Sequence, residues 1–233
     1  MDNAAIISVR GLTVDFGGPP VLEGLDLDIR RGETLAIVGA SGTGKSVLTR
    51  AILGLVPRRA GSLTAFGLEI GPDGPPPEIE RRWGVLFQHG ALFSALTVAQ
   101  NVAVPIQELL DLPLPLIDAF ARLKVEMVGL APEDADKYPS ELSGGMIKRA
   151  GLARALALDP EVVFLDEPTS GLDPIAAAGF DELIGDLRRT LGLTIVMVTH
   201  DLDSLATIAD RIAVIGERRI LVEGDLEAMR RFD

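Results

Sequence analysis

From Ile6 to Ile29 the chain reads "IISVRGLTVDFGGPPVLEGLDLDI", apolar and polar positions alternating on either side of a Gly-Gly-Pro-Pro break. A period of two around a turn predicts antiparallel strands. The pattern then changes to an apolar strand from Thr34 to Val38, a glycine-rich turn, and a helix continuing to about Leu55. "GPDGPPP", Gly71 to Pro77, reads as a turn or linker, and the short strand "WGVLF" follows, ending at Phe87. Between Thr97 and Leu158 the pattern is helical, with interruptions predicted at Pro105, Pro113, Pro115, Pro132 and Pro139. That predicts an inserted helical lobe. Strand character returns at "EVVFLDE", Glu161 to Glu167, followed by a helix from about Pro174 to Thr190, the strand "LTIVMVTH", and a helix from Asp201 to Ala209. Strands alternating with helices predict a mainly parallel sheet. "RIAVIGERRILVEG" predicts a hairpin around Gly216-Glu217, with a short helix after it. The fold class is therefore α/β, with an antiparallel N-terminal β subdomain and a helical lobe at about 97–158. There is no internal repeat.

Composition narrows the picture. A chain of 233 residues suits one domain, 1–233, carrying an inserted lobe. With 47% hydrophobic and 24% charged residues, disordered and collagen-like classes are excluded. The net charge of -12 repels nucleic-acid phosphates, and the basic residues are scattered in pairs such as Arg58-Arg59 and Arg81-Arg82 rather than forming a stripe. No nucleic-acid partner is expected. The absence of cysteine excludes disulfides, thiolate metal sites and cysteine nucleophiles, and fits a reducing compartment. The start "MDNAAIISVRGLTVDF" shows no charged segment followed by an apolar one, so no export leader is expected. No uncharged apolar run has membrane-spanning length. Any membrane association is expected to come through a partner.

The strongest chemical signal is Gly39-Ala40-Ser41-Gly42-Thr43-Gly44-Lys45-Ser46, a full match to G-x-x-x-x-G-K-[ST]. Its glycines permit a loop whose backbone N–H groups converge on phosphate oxygens at a helix N-terminus. Lys45 neutralises the outer phosphates and Ser46 can ligand magnesium. A glycine-rich helix cap is the plainer reading, but it leaves the preceding strand unexplained. At the end of "VVFLDE", Asp166 and Glu167 are delivered to the sheet edge where ligands sit in open α/β folds. Asp166 suits magnesium held through water, and Glu167 suits polarising an attacking water. His200 and Gln88 each follow a strand; taken alone, His200 is an ordinary polar residue at a helix start and Gln88 carries little weight.

In this order these elements resemble the ATP-binding subunit of an ABC transporter, a P-loop NTPase. The resemblance covers almost the whole chain and rests on Gly39–Ser46, Gln88, "LSGGM" at Leu142–Met146, "VVFLDE", "SGLD" at Ser170–Asp173, and His200. It implies MgATP as ligand, with Gln88 and His200 joining Glu167 in catalysis and Gln88 joining Ser46 and Asp166 at the metal. It implies that Phe16 stacks on adenine, where tyrosine is frequent in the family; stacking needs only the ring. It further implies a head-to-tail homodimer in which Ser143, Gly144 and Gly145 close over the partner's nucleotide and Asp173 links the two sites. A helix start with a serine hydroxyl suits a γ-phosphate, although "SELSGG" is also a capping motif.

Met146 departs from the usual glutamine. Together with "LFQHGALFSALTVAQNV", Leu86 to Val102, it resembles the MlaF-like branch, which energises MCE-type lipid transport; His89 departs from the expected serine. That branch implies phospholipid or related cargo, a multi-span permease docking near Gln88–Val102, an MCE-type substrate-binding protein, a STAS-domain partner, and a place on the cytoplasmic face of the inner membrane. An ATPase of an amino acid or methionine importer shares every catalytic residue. A soluble ABC ATPase acting on ribosomes or DNA usually carries two cassettes or basic insertions, and a non-hydrolysing regulator would have no need of Glu167 and His200.

Overall fold

The computed structural model describes residues 5–231. Its strands are β1 (Ala5–Val14), β2 (Leu22–Arg30), β3 (Thr34–Val38), β4 (Ala60–Ala65), β5 (Leu68–Glu69), β6 (Trp83–Leu86), β7 (Val162–Asp166), β8 (Thr194–Val198), β9 (Arg211–Gly216) and β10 (Arg219–Gly224). Its α-helices are α1 (Lys45–Ile52), α2 (Pro77–Glu80), α3 (Val98–Leu109), α4 (Leu114–Met127), α5 (Gly144–Ala155), α6 (Pro174–Leu191), α7 (Leu202–Ile208) and α8 (Leu226–Arg230). Contacts divide the chain into two units, one running to Glu80 and resuming at Leu193, the other Arg81–Gly192.

In the first unit, β1 and β2 pair antiparallel in the order β2-β1-β4-β5. The alternation that announces them is broken at Arg10-Gly11, both exposed, where the register with β2 shifts between Val9 and Leu12. A bulge there returns Leu12 and Val14 to the buried face. The second sheet of this unit is built around β3, which runs parallel to both β8 and β9. β3 and β8 carry almost unbroken apolar sequence because β8 is buried from end to end and β3 up to half-buried Val38, as strands covered on both faces are. β10 returns antiparallel to β9.

The second unit pairs β6 with β7 in parallel, Val85 opposite Phe164. Trp83 meets Phe164 edge to face, with ring centroids 5.8 Å apart. The rest of the unit is mainly helical. Thr97 opens α3 with a reciprocal capping box: its hydroxyl accepts the Gln100 N–H at 3.3 Å while Gln100 Oε1 accepts the Thr97 N–H at 2.9 Å. Helix α5 lies against β6 so closely that a Cβ built on Gly84 would stand 1.9 Å from the Ala155 carbonyl oxygen. Only a residue without a side chain fits that strand position.

Several expectations need correction. Pro105 does not interrupt its helix but lies inside α3, where Val98, Val102 and Ile106 are buried; that packing holds the helix through a residue with no N–H to donate. α1 ends at Ile52 rather than near Leu55, with Leu53 as its cap. The hairpin turns at Glu217-Arg218, one residue later than expected, because Gly216 still pairs with Arg219 and the two loop residues take φ of 48° and 69°. Left-handed conformation at both positions is what a two-residue hairpin loop requires. β4 and β5 lie where no alternation announced them: Ala60, Gly61 and Ser62 are all exposed.

Within the first unit, Arg211 of β9 binds Glu33 with two hydrogen bonds, of 2.7 and 3.1 Å, and also reaches Glu223 of β10 and the Asp28 carbonyl of β2. The Arg211 and Glu33 side chains are only 9% and 10% exposed, so removing the cation strands a buried carboxylate. Arg211→Met is expected to cost about 3 kcal/mol of stability, read as a lowered urea midpoint at unchanged slope.

Candidate nucleotide-binding site

In the first unit β3 delivers the phosphate loop. Gly39 leaves the strand with φ 156°, and a Cβ there would lie 2.4 Å from the Ile215 carbonyl oxygen of β9. The loop can therefore lie directly on the neighbouring strand. Gly44 caps α1 in the left-handed region and supplies no side-chain oxygen, which leaves the first N–H groups of α1 without a side-chain cap. Lys45 Nζ donates to the carbonyls of Gly39 at 2.8 Å and Ala40 at 3.0 Å, so the ammonium is folded over its own loop. Ala40, Ser41 and Gly42 are exposed; Thr43 and Ser46 are half-buried. Phe16, 63% exposed, presents an open ring face after β1. His200 is exposed directly after β8, and the Asp201 N–H beside it donates to Thr199 Oγ1 at 3.0 Å.

In the second unit β7 ends at half-buried Asp166, and Glu167 then takes φ 51°. A left-handed glutamate is uncommon and must be held by its surroundings. Its carbonyl accepts the Ser170 N–H at 3.2 Å and the Lys148 ammonium at 2.9 Å. The same ammonium donates to the carbonyl of Gln88, an exposed residue two positions past β6. Gln88 and Glu167 are thus brought together through Lys148 of α5. Burial pulls the Lys148 ammonium below the usual lysine value, and the Glu167 and Asp166 carboxylates oppose that shift.

Lys148 carries no role in the reading of the sequence, yet a signal was there. With Gly151, Leu152 and Ala155 it falls at i, i+3, i+4 and i+7 on the buried stripe of α5. Asn101 is a second such residue. Fully buried, it accepts the Phe93 N–H at 2.7 Å and donates to the carbonyls of Phe93, Leu96 and Thr97 at 2.9 to 3.1 Å, fixing the segment "FSALT". Arg154 fixes the preceding turn by donating to the Gly90 and Ala91 carbonyls at 2.8 and 2.7 Å.

Ser143 stands exposed as the cap of α5, its hydroxyl accepting the Met146 N–H at 3.3 Å, with exposed Gly144 and half-buried Gly145 behind it. Asp173 caps α6, accepting the N–H groups of Ile175 and Ala176 at 3.0 Å each. Both residues are therefore helix caps in this chain.

A glycine-rich loop from a buried strand into an uncapped helix, in an α/β fold, defines a P-loop nucleotide-binding cassette. Residues 22–170 match the family model described as ABC transporter, and the chain belongs to that family as one of its ATP-binding cassettes. It is 38% identical to a probable ribonucleotide transport ATP-binding protein, mkl, of Mycobacterium leprae, over 100% of this chain and 70% of that protein. To the methionine import ATP-binding protein MetN of Caulobacter vibrioides it is 43% identical, over 91% of this chain and 64% of that protein. The chain thus spans about two thirds of the length of these two relatives. To the intermembrane phospholipid transport system ATP-binding protein MlaF of Haemophilus influenzae it is 39% identical, over 97% of this chain and 86% of that protein. Among solved structures, the dimeric bacterial ABC transporter cassette MJ0796 superposes with a TM-score of 0.85 at 27% identity, covering 94% of this chain and 98% of that one. Its post-hydrolysis dimer bound to ADP and Pi superposes with a TM-score of 0.83 at the same identity and coverage.

Ser46 in the first unit, and Gln88 and Asp166 in the second, each carry a hard oxygen donor of the kind magnesium accepts. Lys45→Ala is expected to weaken ATP binding by about tenfold or more, since a charge-assisted contact to phosphate is lost. A fluorescent ATP analogue titration reads this, and an unchanged melting curve without nucleotide separates it from unfolding.

Proposed function

We propose that this chain is the ATP-hydrolysing subunit of a membrane transporter, working as a homodimer on a separate multi-span permease. Both units serve one cassette, with residues 97–158 as its inserted helical lobe. The observation that carries the reading is the left-handed Glu167 at the end of β7, held through its carbonyl by Ser170 and Lys148. Backbone strain of this kind concentrates where a side chain has to be aimed.

In this reading Lys45 and the α1 N–H groups bind the phosphates, and Phe16 covers the adenine. Ser46, Gln88 and Asp166 hold magnesium, which when bound would neutralise charge on the phosphate oxygens. Glu167 accepts a proton from the attacking water, and His200 and Gln88 orient the groups around it. Ser143, Gly144 and Gly145 contact the partner subunit's nucleotide, and Asp173 connects the two sites. Binding closes the dimer, hydrolysis releases it, and the permease follows. No helix among the described residues is long and apolar enough to cross a membrane; in this reading, attachment to the cytoplasmic face is through the permease.

The finer reading is lipid trafficking with an MCE-type substrate-binding protein and a STAS-domain partner, serving outer-membrane lipid asymmetry. It is supported by the MlaF relatives, by Met146, and by the Leu86–Val102 segment, whose buried Asn101 and Arg154 contacts give the proposed permease-docking surface a fixed main chain. A methionine-importer ATPase is the second reading, favoured by the 43% identity to MetN.

Two measurements test these readings. Glu167→Gln is expected to reduce ATP turnover by about 100-fold or more while leaving binding intact, and to accumulate an ATP-bound dimer on size exclusion with light scattering; undiminished turnover would remove Glu167 as the base. Purification of the tagged chain from gently solubilised membranes is expected to bring down a permease, an MCE-type protein and phospholipid. A permease with a soluble solute-binding protein instead would move the assignment to nutrient import, and ribosomes without a permease would overturn transport.

A further inference from the structure

Lys148 is buried, and its ammonium donates to two main-chain carbonyls that lie 60 and 19 residues away in sequence. Placing a charge inside a helix packing face is costly, and an apolar side chain of equal length would fill the same space. The carbonyls it binds belong to Gln88 and Glu167, two residues to which the ATPase reading gives chemistry. We propose that Lys148 is a positioning residue for hydrolysis, fixing the main chain at Gln88 and Glu167 to the helix that opens at Ser143. The inference rests on the ATPase reading above.

Glu167 sits in a conformation that glutamate disfavours, and its carbonyl has two donors, Ser170 N–H at 3.2 Å and Lys148 at 2.9 Å. Removing the charged donor weakens the hold on this peptide and favours relaxation toward an ordinary conformation, which re-aims the carboxylate. Lys148 also lies on the same rigid helix as the Ser143 cap, about 7.5 Å along the axis from it. A displacement of the helix start therefore carries the ammonium, and with it the backbone on both sides of the proposed chemistry. Arg154, two turns further along, binds Gly90 and Ala91, so α5 holds the segment after β6 at two points.

The test uses the full chain with K148M, which keeps length and removes the donors, and K148R, which restores them. K148M is expected to lower kcat by about tenfold or more, with KM for ATP and nucleotide affinity within about threefold of wild type, and K148R to recover most of kcat. Amide exchange is expected to rise in K148M at Gln88–Gly90 and Glu167–Ser170 and not elsewhere. If K148M does not fold, K148Q, whose amide keeps two donors without the charge, takes its place and is expected to show intermediate kcat. Wild-type kcat in K148M, a K148R as impaired as K148M, or exchange rising across the whole chain would each overturn the proposal. E167Q is measured alongside. An inactive E167Q with a normal K148M overturns this proposal alone, undiminished turnover in E167Q removes Glu167 as the base and this inference with it, and a wild-type chain that turns over no ATP overturns the ATPase reading itself.

Discussion

The main chains of β6 and α5 meet at Gly84, where there is no room for even a methyl group before the Ala155 carbonyl. That approach is the constraint on which the second unit depends. It sets the distance at which Lys148 and Arg154 can reach the backbone leaving β6, and both do so with charged donors onto carbonyls. Had the strand carried alanine, α5 would stand off and those donors would fall short. A close backbone contact at the end of the helix thus holds Arg154 beside it and Lys148 further back along the helix at their carbonyls.

The polar network is expensive, which is why it is informative. Lys148, Asn101 and Arg211 all bury donors that apolar residues could replace at lower desolvation cost. Each is satisfied by several partners, and most of these are main-chain carbonyls. Main-chain acceptors make such residues specify loop shape rather than side-chain packing. Asn101 does this for Phe93–Thr97 and Lys148 for Gln88 and Glu167, while Arg211 joins the two sheets of the first unit through the Glu33 and Glu223 carboxylates and the Asp28 carbonyl.

How much of this could be read from the sequence follows from where burial is legible. β3, β7 and β8 are covered along their length, so their apolar runs mark them to within a residue or two. β4 buries only Leu63 and Ala65 and is defined by its partner β1, so nothing local marks it. Pro105 reads as a break because propensity is local, while the packing of α3 is not. The phosphate loop, the acidic strand end and the "LSGGM" segment stand out in the sequence because the chemistry proposed for them needs particular residue types in order. The left-handed φ of Glu167 was not, since glutamate has no preference for that conformation and the bonds to its carbonyl from Ser170 and Lys148 come from residues 3 and 19 positions away. Lys148 was hidden by its charge: a helical period places it on the buried stripe, but a lysine is ordinarily assigned to solvent.

Ser143 and Asp173 show that the plain and the functional readings of a helix start are not rivals. Ser143 uses its oxygen as an acceptor for the Met146 N–H, and the hydroxyl proton is still available to donate. A phosphate oxygen needs a donor, so capping α5 leaves intact the half of the hydroxyl that the proposed partner contact requires. Asp173 differs, because an ionised carboxylate only accepts. One of its oxygens, Oδ1, already receives the N–H groups of Ile175 and Ala176, and what it can offer across a dimer is limited to acceptance by the remaining lone pairs. In the proposed dimer, the groups that could answer it are donors: backbone N–H, hydroxyl, amide or basic side chains. Ser143 can therefore donate to a phosphate directly, while Asp173, an acceptor only, is suited to facing donors instead.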